Sequence, residues 1–188
     1  VDWNKSLHDG YFNLDESSVK VKRFTDNSTS VAKRNNESIE LEIYETVALG
    51  DGSQANNPWL QELPDPITRA CWDNYLTISA STAEKLGLSN WNVANGAMNG
   101  SLVNITDGKN ILENIPVMIT PGQAQNTVGM AVGYGRVRAG KAGDNVGFNA
   151  FPFLNTKELT ITKIEGEYEF ACIQLHHTMM GRDIVKET

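Results

Sequence analysis

The sequence predicts a mainly β domain, a closed or nearly closed barrel with one or two short helices. Three observations predict it. Apolar and polar residues alternate over several short stretches, turns rich in Gly, Asn and Pro separate those stretches, and a single segment carries a helix-start signature. About seven strands and one clear short helix in that order point to a barrel rather than to repeated strand–helix–strand units.

Residues 1–37 read as an irregular lead-in, polar with an aromatic cluster (Trp3, Tyr11, Phe12, Phe24) and at most one strand over Val19–Phe24. Residues 38–188 read as the barrel. Ser38–Val47 sets Ile39, Leu41 and Ile43 against Glu40, Glu42 and Glu45, the period of a half-buried strand. Leu49–Asn57 is a polar loop. Pro58, Pro64 and Pro66 brace the next segment, and because proline fixes φ and removes a donor, a rigid, extended, non-helical path is expected there.

Trp72–Ser79 reads as a strand. Ser81-Thr82-Ala83-Glu84 has the spacing of a capping box and opens a short helix that Gly87 would close. Asn90–Asn99 is a Gly/Asn-rich excursion. Ser101–Thr106 is a strand, Asp107-Gly108 a turn, and Ile115–Thr120 a strand stopped by Pro121-Gly122. Thr127–Val132 is another, followed by Gly133-Tyr134-Gly135 and a glycine-rich run over Ala139–Asn149. Glu158–Ile164 and Tyr168–Leu175 look like a terminal hairpin around Glu165-Gly166-Glu167.

At 188 residues the chain suits one domain, or one with an extra lobe, and can bury a real core. Its net charge of −7 argues against a nucleic-acid partner, since phosphate contacts need clustered Lys and Arg. No run approaches the roughly 18 apolar residues of a membrane span, so no direct membrane insertion is expected. No signal peptide is visible at Val1-Asp2-Trp3-Asn4. Cys71 and Cys172 are the only cysteines, too few for an iron–sulfur cluster, which takes about four thiolates. A disulfide between them is one reading and a pair of buried free thiols the preferred one.

No self-contained active site is legible, and no catalytic or metal-ligating residue is assigned. His176 and His177 are adjacent and would point to opposite faces of a strand, so they cannot easily share a metal. The GxSxG, HExxH and phosphate-loop motifs are missing from the sequence. The informative residues lie in loops: Asn57–Pro66, Gly133-Tyr134-Gly135-Arg136, and Gly140–Asn149. Glycine there lets backbone N–H groups approach a ligand, and Asn, Gln and Glu side chains offer donors and acceptors to a heterocycle.

Taken in order, these segments resemble the C-terminal domain of the molybdopterin oxidoreductase superfamily. The resemblance covers residues 38–188. It runs from Asn57-Pro58-Trp59-Leu60-Gln61-Glu62-Leu63-Pro64-Asp65-Pro66 into Trp72-Asp73-Asn74-Tyr75. It continues through Ala83 and Leu86-Gly87, Pro121-Gly122, and Gly133-Tyr134-Gly135-Arg136. The wording, with His176-His177-Thr178-Met179-Met180-Gly181-Arg182, is most similar to the molybdopterin oxidoreductase-like iron–sulfur subunit of alternative complex III, a quinol-oxidising respiratory complex.

That resemblance implies a double-psi β-barrel cut from a longer parent. It implies a scaffold within an electron-transfer complex on the periplasmic side of the inner membrane, with the parent's other domains and other subunits as partners. No cofactor bound by this chain is expected on that reading. If the parent is instead an active enzyme of polysulfide or thiosulfate reductase type, the domain would close over a bis-molybdopterin guanine dinucleotide. On that alternative Asn57, Glu62, Gly133, Tyr134, Gly135 and Asn149 are the cofactor-binding candidates. A free-standing carbohydrate- or peptide-binding barrel is a weaker third reading. Trp59 and Trp72 are expected to be packing anchors ahead of ligand contacts. His176, His177 and Arg182 are expected at a docking surface, with a cofactor role or a plain exposed turn as alternatives. Asn90–Asn99 departs from the family, whose active members have a short Gly-Asp turn there.

Overall fold

The computed structural model describes residues 3–11, 38–93, 97–156 and 158–173. The predicted strand at Val19–Phe24 and the His176–Arg182 segment lie outside them. The chain divides into two compact units, Val1–Arg34 and Asn35–Thr188.

In the first unit the lead-in is not wholly irregular: α1 spans Trp3–Asp9 and buries none of its residues. Trp3 and Leu7, four apart on one face, are both exposed. Gly10, at φ 74°, closes the helix with its N–H on Ser6 O at 2.9 Å.

The second unit is mainly β. Its strands are β1 (Glu40–Tyr44), β2 (Leu76–Ile78), β3 (Asn90–Asn92), β4 (Met98–Thr106), β5 (Ile111–Ile119), β6 (Thr127–Ala131) and β7 (Thr160–Phe170). They form one seven-stranded mixed sheet in the order β1-β6-β2-β5-β4-β3, with β7 on the other side of β4. β1 pairs β6 and β2 pairs β5 in parallel, while β2–β6, β4–β5, β3–β4 and β4–β7 are antiparallel. An antiparallel bridge joins Ile39, just before β1, to Leu159, just before β7, with Leu159 N–H on Ile39 O at 3.1 Å.

Five strands, and the start of β7 with the residue before it, send residues two apart into one core. These are Leu41 and Ile43, Leu76 and Ile78, Val103 and Ile105, Ile115 and Val117, Val128 and Met130, and Leu159 with Ile161. The period-2 alternation read in the sequence therefore becomes one shared interior. Phe153, in a 3₁₀ turn over Phe151–Phe153, packs into the same core at 2% exposure.

Several expectations are corrected. The proline-braced segment is not extended throughout: α2 spans Pro58–Glu62. Pro58 occupies the first helical turn, where its missing N–H costs nothing, and Asn57 Oδ1 accepts from Trp59 N–H at 3.1 Å. The second helix, α3 (Ala80–Lys85), starts earlier than the predicted capping box. Its N-cap is Ser79, whose Oγ accepts from Thr82 N–H at 3.2 Å. Gly87 closes it as predicted, at φ 66°, with Leu88 N–H reaching Ala83 O at 2.8 Å. With α1 the helices number three among the described residues, not one or two.

The excursion at Asn90–Asn99 contains a strand, β3, paired with Met98–Gly100. Asn90 also ties β3 to β5, donating from Nδ2 to Val117 O at 2.8 Å and accepting on Oδ1 from Ile119 N–H at 2.6 Å. The terminal hairpin is instead one long strand. β7 runs along β4 from Thr106↔Thr160 to Met98↔Phe170, and the register shifts where Ser101 pairs Glu167 and Leu102 pairs Ile164. Glu165 and Gly166 are the extra residues, and Gly166 takes φ 114°, so a bulge stands where a turn was expected.

Candidate functional site

The loops that follow β1 and β6 are bound to each other by backbone close approach. A Cβ on Gly52 would lie 2.3 Å from Gly133 O, and within the chain after β6 one on Gly135 would lie 2.2 Å from Asn149 N. All three glycines 52, 133 and 135 have positive φ. Arg136 locks the pair from outside, donating from Nη2 to Asp51 O at 2.9 Å. Within the glycine-rich run, Asp144 Oδ1 accepts from Ala139 N–H at 2.6 Å and Gly140 N–H at 3.0 Å. Asn56 Oδ1 accepts from Ala142 N–H at 3.0 Å, which ties the run back to the α2 lead-in.

Beneath these loops Asn74 is the central fastener, 2% exposed. Its Nδ2 donates to Ala131 O at 2.7 Å and Phe148 O at 2.9 Å, and its Oδ1 accepts from Phe148 N–H at 2.7 Å. Every hydrogen-bonding group of that amide except one lone pair is thereby used.

Hollows open among the described residues. One open groove of about 650 Å³ is lined by Gly52–Pro58 together with Arg136, Arg138 and Ala139. A second of about 360 Å³ is lined by Tyr134–Arg138, Asn149 and Phe151. The two share Arg136 and Arg138. Apart from these grooves there is a small cavity of about 20 Å³, walled by Tyr44, Asp65, Asp73, Tyr75 and Tyr134, with Val47 and Leu63 at its edge.

The six cofactor-binding candidates are only partly gathered. Asn149, Tyr134 and Gly135 line the second groove, and Asn57 the first. Asn57 spends its Oδ1 on the α2 cap and Asn149 spends its own on Phe151 N–H at 3.1 Å. Gly133 lines neither groove and instead supports Gly52 from below. Glu62 is exposed at the end of α2 and lines neither groove nor the small cavity. Trp59 is 81% exposed and so is not a packing anchor, whereas Trp72 is half-buried, at φ 68°, with its N–H on Gln61 O at 2.8 Å. Helix formation explains the difference: once α2 forms, Gln61 turns inward to Ala55 O and Trp59 turns out.

Sequence reasoning missed Arg138 and the tyrosine-walled cavity. The signal for Arg138 was present as the Arg-x-Arg spacing after Gly135. The cavity had none, since its tyrosines come from three separate segments. Burial pushes the Tyr44 hydroxyl up to about 12, with Asp65 adding to the rise, and it pushes Tyr75 and Tyr134 up as well. Burial also raises the Asp73 carboxyl, although Tyr168 donates its hydroxyl to Asp73 Oδ2. All three phenols are therefore neutral donors at neutral pH.

Cys71 and Cys172 are free thiols, each half-buried; burial raises Cys172 to about 11 and raises Cys71, with Glu62 adding to the latter. Among the described residues no group of three or more His, Cys, Asp or Glu side chains is placed to hold a metal ion. No helix among them is long and apolar enough to cross a membrane. No protein-family model matches the chain, and a search of curated proteins returns no match.

Proposed function

We propose that this chain is a double-psi β-barrel domain of the molybdopterin oxidoreductase type, a scaffold without its own redox centre in a respiratory quinol-oxidising complex. The observation that carries the reading is the order of strand pairing. Leaving β3 aside, the path β1-β6-β2-β5-β4-β7 returns to its start across the Ile39–Leu159 bridge. Exchanging β1 with β5, β2 with β6 and β4 with β7 leaves every neighbour and every direction unchanged. Two parallel pairs related by such an exchange are the internal symmetry of a double-psi barrel. The long ordered motifs from Asn57 to Asn149 supply the link to the superfamily.

The scaffold reading is supported by how the candidate side chains are used. Asn56 and Arg136 tie separate loops together, and Asn57 and Asn149 brace their own turns, which is work for a framework. The test is elemental analysis of the intact parent, purified with its partner subunits and oxidising quinol. A scaffold predicts no stoichiometric molybdenum. Molybdenum at one atom per parent chain would replace this reading with the next.

One observation favours that second reading, a bis-molybdopterin guanine dinucleotide-binding domain of an active molybdenum oxidoreductase of polysulfide or thiosulfate reductase type. Arg138 is exposed, makes no hydrogen bond among the described residues, and faces both open grooves. Such a group carries phosphates, and a guanidinium is suited to them. Among the residues present, Arg138 is the one that would meet the charge of an anion. When bound, the cofactor would supply a metal-centred redox couple.

A further inference from the structure

The small cavity has a chemistry that neither reading of the parent uses. Its whole lining holds no Lys, Arg or His, yet it contains the carboxylates of Asp65 and Asp73. Among the described residues neither carboxylate has an ion pair. Asp65 Oδ1 is taken by Ile67 N–H at 2.9 Å, Thr68 N–H at 2.8 Å and the Thr68 hydroxyl, and Asp73 Oδ2 by Tyr168. Each carboxylate keeps a second oxygen, because an ionised acid offers about four acceptor sites. Tyr44, Tyr75, Tyr134 and Trp72 supply aromatic wall around them.

The rim is of the opposite character. Val47 is 79% and Leu63 44% exposed, and both border the cavity. Pro66 borders it too. An apolar collar around an acidic, aromatic hole is the complement of a lysine side chain. Lysine has an apolar stem and a compact ammonium with three donors, attracted to carboxylates and to aromatic faces. Size selects it over arginine. A cavity of about 20 Å³ holds one water-sized group, and a planar guanidinium is larger.

We propose that this cavity is a docking site for a lysine side chain carried on an apolar segment of another polypeptide. Asp65 and Asp73 accept the ammonium, and Val47 and Leu63 cover the stem and its apolar neighbours.

The test uses the full chain and four probes: the capped peptide Ala-Leu-Lys-Leu-Ala, its analogues with arginine or norleucine at the centre, and the butylammonium ion. Binding is followed by chemical-shift changes and by tryptophan fluorescence. The lysine peptide should bind, and each of the other three probes should bind at least about tenfold more weakly, a difference of about 1.4 kcal/mol. Asp73→Asn should weaken the lysine peptide and leave the norleucine peptide unchanged. Val47→Ser, at an exposed position that spares the fold, should weaken both. Equal binding of the norleucine peptide would reduce the site to an apolar patch, and equal binding of the arginine peptide would remove the size selection. Equal binding of butylammonium would make it a small-amine site. Any of these, or no binding of the lysine peptide, overturns the proposal. The molybdenum content of the parent bears on none of them.

Discussion

Asn74 and Phe148 exchange a matched pair of hydrogen bonds, side-chain amide to backbone peptide, at 2.7 and 2.9 Å. Asn74 thereby imitates a strand partner for a loop residue far along the chain, and its third bond reaches Ala131 O. Asn74→Ala would strand a buried N–H and two carbonyls, so a loss of about 3 kcal/mol is expected. Urea denaturation should measure that loss, and amide exchange at Phe148 should accelerate with it. Unchanged protection at Phe148 would show that the loop holds without Asn74.

Trp59 and Phe153 should respond to alanine in opposite ways. Trp59→Ala removes a side chain that is 81% exposed and should change stability by less than about 0.5 kcal/mol. Phe153→Ala opens a hole in the shared core and should cost about 3–5 kcal/mol. Thermal melts of the two variants side by side check both. From the sequence alone Trp59 was expected to be a packing anchor.

Gly52 and Gly108 have nearly the same φ, 82° and 83°, but different surroundings. A Cβ at Gly108 meets nothing within 4 Å, so Gly108→Ala should cost only the left-handed penalty of about 1–2 kcal/mol. The same change at Gly52 adds a clash with Gly133 backbone and the Arg136 guanidinium. It should cost clearly more, and it should loosen the loops beside the grooves. Equal melting temperatures for the two variants would mean that the Gly52–Gly133 approach is soft.

Asp73 predicts a pH dependence of definite sign. Burial holds its carboxyl above the ordinary 3.8. A group whose folded pKa is raised contributes stability that is fully present below the unfolded value and lost as pH rises through the folded one. The neutral isostere Asp73→Asn should therefore be at least as stable as the parent sequence at pH 7, and its advantage should shrink toward pH 3. Denaturation of both chains across that range checks it. A variant markedly weaker at pH 7 and equal at pH 3 would reverse the sign.

The strands were legible wherever alternation was strict, as at Ile39, Leu41 and Ile43, because a half-buried strand requires that period. α2 was not, because proline was weighed as a breaker without the Asn57 cap that makes it a helix start. The single strand β7 was misread for a related reason: Glu165-Gly166-Glu167 has turn composition, and only its partner β4 shows that the residues form a bulge. The sites divide in the same way. The close backbone approaches at Gly133 and Gly135 could be read because such contacts demand glycine in sequence. The cavity of Tyr44, Asp65, Asp73, Tyr75 and Tyr134 could not, since no local pattern records what a sheet brings together.

The Ile39–Leu159 bridge has a kinetic consequence. Its partners lie far apart in the sequence, and the parallel pairs β1–β6 and β2–β5 also join distant segments. Each must bear its loop-closure entropy before any core forms to offset it, and folds dominated by non-local contacts cross slow barriers. Local pieces such as the β4–β5 hairpin, pinned at its turn by Asp107 on the N–H groups of Lys109 and Asn110, can form early. β1 can find β6 and β7 only after both exist. During synthesis the strand made first is thus among the last to be seated, and until then its apolar face, Leu41 and Ile43, stands unprotected against association with other chains.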